Sequence, residues 1–170
     1  MTTATAQKVT SSRHAVNVLQ LTNPGHITTD EIVAQLRQRD YTWVEHRITQ
    51  EHFPMREWKC DGSIRLRLIG YKEPMTSQRV LADARRRGLK ERPLYEHGLI
   101  AALQRPQGRG LIVFLIKPWE DNPSGDSVVM AIENGSRLAL DLVWWKNRIW
   151  PQGTRFGFPE PNGCKKKKQK

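Results

Sequence analysis

Cysteine is scarce in this chain: two in 170 residues, Cys60 and Cys164. Two are too few for a disulfide framework or a thiolate zinc site, so a reduced interior and a cytoplasmic setting are expected. Long apolar runs are missing too. The longest unbroken one is six residues, Leu111 to Ile116, far short of the ~20 that span a bilayer. No apolar signal-peptide region follows Met1, and no membrane partner is expected. Catalytic signatures are also lacking. There is no GxSxG elbow and no Walker loop. Gly108-Arg109-Gly110 precedes a strand instead of joining a strand to a helix, so it is a turn and not a dinucleotide fingerprint. His46 and His52 each follow a glutamate but lie six apart, where a helical metal pair needs three or four. Asp121 and Asp126 flank a loop without the ligand number of a calcium site. The expectation is a protein without cofactor, metal or enzymatic activity.

What is present in excess is positive charge. Lys and Arg total 28 against 17 Asp and Glu, a net +11. Five lysines fall in the last six residues, leaving +6 for the rest. The segment Arg79 to Arg92 alone holds six basic and two acidic residues. Such a surplus attracts polyanions and says nothing about fold. The composition, 38% hydrophobic and 26% charged, is that of a globular protein.

The pattern along the chain predicts an α+β fold, with strand–helix units first and an antiparallel meander last. Residues 1–12 read as disordered, 13–160 as one domain with an optional internal boundary near 105–110, and 161–170 as a flexible basic tail. A strand is expected from Ala15 to Leu21, with Val16, Val18 and Gln20 on one face. Thr28 with Glu31 forms a capping box for a helix ending at Asp40. Met55 to Ser63 is a loop holding Trp58. Ile64 to Tyr71 alternates, with Arg65 and Arg67 opposite Ile64, Leu66 and Leu68. Thr76 opens a second helix that Gly88 stops. A third runs from Pro93 to about Gln104, with Leu94, Leu99, Ile100 and Leu103 as its apolar residues. Ile27-Thr28-Thr29 and Met75-Thr76-Ser77 match at an offset of 48, a suggestive internal repeat. Leu111 to Ile116 reads as a central strand covered on both faces. Ser127 to Glu133 and Leu138 to Trp145 form a hairpin over Asn134-Gly135, whose residues accept positive φ. Arg155 to Phe158 is a short last strand.

Trp144, Trp145 and Trp150 crowd into seven residues, interleaved with Lys146, Asn147 and Arg148. Successive strand residues point to opposite faces, so one of Trp144 and Trp145 belongs to the core. The other can join Lys146 and Arg148 in an exposed aromatic platform. The alternative is that all the tryptophans are packing.

Two stretches carry a resemblance. Tyr41-Thr42-Trp43-Val44, Ile48-Thr49 and His52-Phe53-Pro54 form one; Arg92-Pro93, Glu96, Leu99-Ile100-Ala101, Trp150 and Arg155-Phe156 form the other. Together, over most of residues 15–158, they resemble a family of short bacterial proteins without an assigned function. Gly157-Phe158-Pro159 departs from the apolar strand that closes that pattern. The Trp-then-Arg-Phe ending is also similar to C-type-lectin-like domains. That likeness implies a variable binding surface at Trp145, Lys146, Arg148 and Trp150. Glu160-Pro161-Asn162 spells the calcium tripeptide of lectins, but no Trp-Asn-Asp strand follows it, and we treat it as coincidence.

Two functional readings follow. The first is a basic, non-enzymatic binding module for nucleic acid, RNA or DNA, alone or in a larger nucleoprotein assembly. Arg65, Arg67, Arg85, Arg86, Arg87 and Lys90 would contact phosphates, Lys165, Lys166, Lys167 and Lys168 would add nonspecific affinity, and Trp145 or Trp150 would stack. The second is a protein- or ligand-binding module using the tryptophan hairpin.

Overall fold

A computed structural model describes residues 17–56, 62–104, 106, 108–119 and 127–161. The N-terminal segment 1–12, Val16, Trp58, the loop from Asp121 to Asp126 and the lysine tail lie outside the described residues.

The first helix, α1 (Thr29–Gln38), starts at the expected capping box. The Glu31 N–H donates to Thr28 Oγ1 at 3.2 Å, and the Thr28 N–H donates to the Glu31 carboxylate at 2.7 Å. The backbone bond from Thr28 holds Glu31 below the usual carboxylate range. Ile32, Val33 and Leu36 form the buried stripe. The second helix, α2 (Ser77–Arg86), starts on Thr76, which accepts the Arg79 N–H at 3.3 Å. Arginine at the third position leaves this cap half a box. The internal repeat is thus a repeated helix entry: Thr29 and Ser77 are both fully buried, and each donates its hydroxyl to a distant carbonyl, that of Phe53 and of Trp145 respectively. The third helix is α3 (Tyr95–Gln104). Leu99 and Ile100 are buried in it, but Leu94, expected among its apolar residues, precedes the first turn and is exposed.

The strands are β1 (Asn17–Thr22), β2 (Trp43–Val44), β3 (Ser63–Gly70), β4 (Met75–Thr76), β5 (Gly110–Trp119), β6 (Val128–Asn134), β7 (Leu138–Trp144), β8 (Ile149–Trp150) and β9 (Arg155–Pro159). Seven form one sheet in the order β1-β3-β9-β5-β6-β7-β2, and β4 pairs with β8. The α+β class is as expected, but the sheet is not a separate C-terminal meander. Only β5, β6 and β7 meander. β9 returns to lie between β3 and β5, antiparallel to the first and parallel to the second. The sheet therefore runs unbroken across the position near 105–110 where an internal boundary was considered.

β5 is the central strand, and Ile112 to Ile116 are all buried. α3 covers one face: its Gly98 lies over Met130 and Phe114. On β9, Gly157 faces Phe114, whereas Phe156 faces the opposite way. Phe156 there meets Trp150 edge-on at 5.9 Å and Tyr71 at 5.9 Å. Tyr71 donates its hydroxyl to Asp83 of α2 at 2.9 Å, so α2 and the β4–β8 ribbon cover that second face.

Two local expectations are corrected. In β1 the core face is Leu19 and Leu21, while Val18 is exposed. The register explains it: Leu19 pairs with Leu66 and Leu21 with Ile64, and paired residues share a face. The hairpin between β6 and β7 exists, but neither Asn134 nor Gly135 takes positive φ. The Asn134 side chain instead donates to the Gly108 carbonyl at 2.9 Å. Positive φ falls at Asn147, 56°, in the following turn.

Gly157 also explains why this strand departs from an apolar pattern. A Cβ there would lie 3.0 Å from the Phe114 ring and 3.6 Å from Leu68. A ring packed between sheet and helix cannot move aside cheaply. Gly157→Val is therefore expected to destabilise the protein by about 1–3 kcal/mol, read as a lower urea midpoint with unchanged slope. A variant as stable as the parent would show that Phe114 relocates freely.

Candidate functional site

Charge compensation divides the predicted phosphate contacts into two groups. Arg65 and Arg67, neighbours on β3, share one acid: Glu160 accepts Arg65 at 3.3 Å through Oε2 and Arg67 at 3.1 Å through Oε1. Arg86 and Arg87 share Asp83, at 3.1 and 2.7 Å. Burial opposes ionisation of Asp83, yet hydrogen bonds from Tyr71 and Arg87 hold it below the usual range. Arg79 faces Glu73 at 3.6 Å. Arg85, Lys90 and Arg92 have no carboxylate partner among the described residues.

Local structure places these three. Past its C-cap at Arg87, α2 ends in a Schellman turn: the Leu89 N–H donates to the Ala84 carbonyl at 2.9 Å and the Gly88 N–H to that of Arg85 at 3.0 Å. Gly88 takes φ 81°, which a side chain would oppose. Leu89 is thereby buried, and the chain reverses with Lys90 outward. Arg92 is half-buried. Its Nη1 donates to the Ile116 carbonyl at 3.2 Å, and its guanidinium lies 5.4 Å over the Trp145 ring. Burial first, and then the like charge of Arg85, lower its pKa. Arg85 and Arg92 are therefore neighbouring cations.

Lys90 and Arg92 line a cleft of about 480 Å³, together with Ile64, Glu91, Leu94, His97 and Glu160. The cleft links the second helix exit to the Arg65–Glu160–Arg67 group. A groove of about 570 Å³ beside Tyr71 takes Arg79, Arg86 and Arg87, with Glu73 and Asp83 as their acids. The structure thus divides the predicted phosphate contacts: Arg65, Arg67, Arg86 and Arg87 share two acids, while Arg85 and Lys90 have no ion-pair partner among the described residues. Lys165 to Lys168 lie outside the described residues.

The aromatic platform needs a firmer correction. Trp150 is fully buried, and its indole N–H donates to Ser77 Oγ at 2.8 Å. It is core, and Arg148 lies 4.7 Å over its ring. Trp145 is half-buried beneath Arg92, and Lys146 is exposed. Around this turn the exposed apolar side chains are Trp144, 62% accessible, and Ile149, 66%. Trp144 ends β7 opposite Val128, the first residue of β6, so it projects past the covered part of the sheet.

His46 is exposed beside Glu45 at 2.9 Å. Burial opposes ionisation of Glu45, but bonds from Arg47 keep it below the usual range. His52 stacks obliquely on Trp119 at 5.0 Å. Among the described residues no three His, Cys, Asp or Glu side chains converge on a metal-sized site.

Sequence reasoning missed Glu160 and His97. A helix-start histidine three residues after an uncapped position was the available signal for the second. His97 is 5% accessible and accepts the Leu94 N–H on Nδ1 at 3.1 Å, capping the helix while neutral. Comparison with protein-family models, with curated proteins and with solved structures gives no match.

Burial pushes the His97 pKa down to about 4 from 6.5. The unfolded chain takes up this proton at higher pH than the folded one, so the stability from neutral His97 is complete above pH 6.5 and is lost as pH falls towards 4. The loss amounts to about 3 kcal/mol. His97→Asn, which retains an acceptor for the Leu94 N–H, should flatten the fall in urea midpoint between these pH values. An equal fall in both proteins would show that His97 titrates normally.

Proposed function

We propose that the protein is a cytoplasmic, non-enzymatic module that binds nucleic acid through phosphate contacts around the second helix exit. The observation that carries this reading is that Arg85, Lys90 and Arg92 have no ion-pair partner among the described residues, with Lys90 and Arg92 lining a cleft whose carboxylates are Glu91 and Glu160. Like charges left together in a fold favour an anion between them. The Trp145 ring supports the Arg92 guanidinium from one side. Pro161 lies in the cleft wall, and the lysine run begins four residues further along the sequence. Such contacts give affinity without reading sequence.

A second reading rests on Trp144 and Ile149, whose exposure suits a protein partner at the β7–β8 turn. It predicts binding indifferent to salt and to the tail.

Fluorescence anisotropy with labelled single-stranded and duplex oligonucleotides, at two salt concentrations, separates the two. Lys90→Glu should weaken binding and reduce the slope of log K against log salt by about 1. Glu160→Gln should act oppositely, tightening binding and steepening the slope, because it releases Arg65 and Arg67. Opposite signs from two surface changes cannot both come from unfolding. A chain stopped at Asn162 should bind more weakly with the body's salt dependence preserved. No binding at low salt, or no response to either substitution, would remove the nucleic-acid reading and leave the hairpin.

A further inference from the structure

The cleft is more than a charged surface. Its volume, about 480 Å³, falls in the range of small-molecule pockets. A phosphodiester lying on an arginine surface needs no such hollow. The lining is also divided in character. Lys90 and Arg92 supply two cations, and Ile64, Leu94 and Pro159 supply apolar surface. Leu94 is 52% accessible, an exposed aliphatic side chain beside two cations. Glu91 adds a carboxylate, an acceptor suited to the N–H groups of a base. Arg92 is held in place before any ligand arrives, by the Ile116 carbonyl and the Trp145 ring, which reduces the ordering cost of binding.

We propose that this cleft binds a single nucleotide unit, its phosphate on Lys90 and Arg92 and its base against Ile64, Leu94 and Pro159 beside the Glu91 carboxylate. This rests on the proposed phosphate-binding role of the same residues and deepens it. The unit is either one unstacked nucleotide of a strand or a free nucleotide; the chemistry is shared, and the experiment separates the sources.

The experiment is calorimetric titration of the full chain with cytidine and adenosine 5′-monophosphates, ribose 5-phosphate, the two nucleosides and inorganic phosphate. The oligonucleotide anisotropy is run on the same preparations. The mononucleotides should bind at least about tenfold more tightly than ribose 5-phosphate and than the nucleosides, a difference of about 1.4 kcal/mol. Leu94→Ser, a change at an exposed position, should remove the advantage over ribose 5-phosphate. Lys90→Ala should remove the advantage over the nucleosides. Mononucleotides that bind no better than ribose 5-phosphate overturn the inference. If oligonucleotides still bind in that case, the phosphate surface stands without the pocket. If only mononucleotides bind, the pocket stands as a free-nucleotide site and the nucleic-acid reading falls. If neither binds, both fall.

Discussion

One buried hydrogen-bond relay fixes the start of α2 and, with it, the basic segment at that helix's exit. Trp150 donates its indole N–H to Ser77, and Ser77 passes its own hydroxyl hydrogen to the Trp145 carbonyl. The relay joins the first residue of α2 to both ends of the turn that follows β7. Trp150 is at the same time wedged against Phe156 of the sheet. An indole N–H buried without an acceptor costs about 1–3 kcal/mol, so the tryptophan and the serine hold each other in place. With its start pinned, α2 has a set direction and its Schellman end a set position. Arg85, Lys90 and Arg92 follow from that, and Arg92 settles over the ring of Trp145, next to the carbonyl where the relay ends.

The same geometry shows how a basic protein can spend most of its arginines on itself. Glu160 and Asp83 each bind two guanidiniums in a fork. Exposed ion pairs of this kind add little stability. Their larger effect is on the pattern of potential: each fork leaves one net positive charge where its two arginines alone would carry two, and Lys90 and Arg92 meet at one cleft. Net charge read from composition gives the total but not this distribution.

Much of the fold was legible because local rules and global packing agree. Thr28 with Glu31, Thr76 with Gly88, and the apolar run from Leu111 to Ile116 each needed only a few neighbouring residues to be read correctly. The failures share a cause, which is pairing at long range. The face of β1 depends on its register with β3. The site of β9 depends on two strands far apart in the chain. Trp150 looked like half of a surface platform because its partners, Ser77 and Phe156, are remote from it in one direction and hidden by a turn in the other. The candidate site followed the same division. The basic segment from Arg79 to Arg92 was evident, and its paired cations find their acids nearby, at Glu73 and Asp83; the acid that pairs Arg65 and Arg67 is Glu160, 93 residues beyond Arg67. A histidine that caps a helix from inside has no pattern in sequence beyond its spacing.

The position of β9 has a kinetic side. It is the last strand, yet it separates β3 from β5. Until it docks, the chain consists of a β1–β3 pair and a β5–β6–β7 meander, each with one long unpaired edge. Those edges are rich in Leu, Ile and Val and can pair with each other or with another molecule. Closing the gap means bringing together segments distant in sequence, the slow kind of event in folding. Gly157, without a side chain, leaves the room that the Phe114 ring needs against β9. A fold completed from its middle outwards by its final strand has its greatest exposure to misassembly just before it is finished.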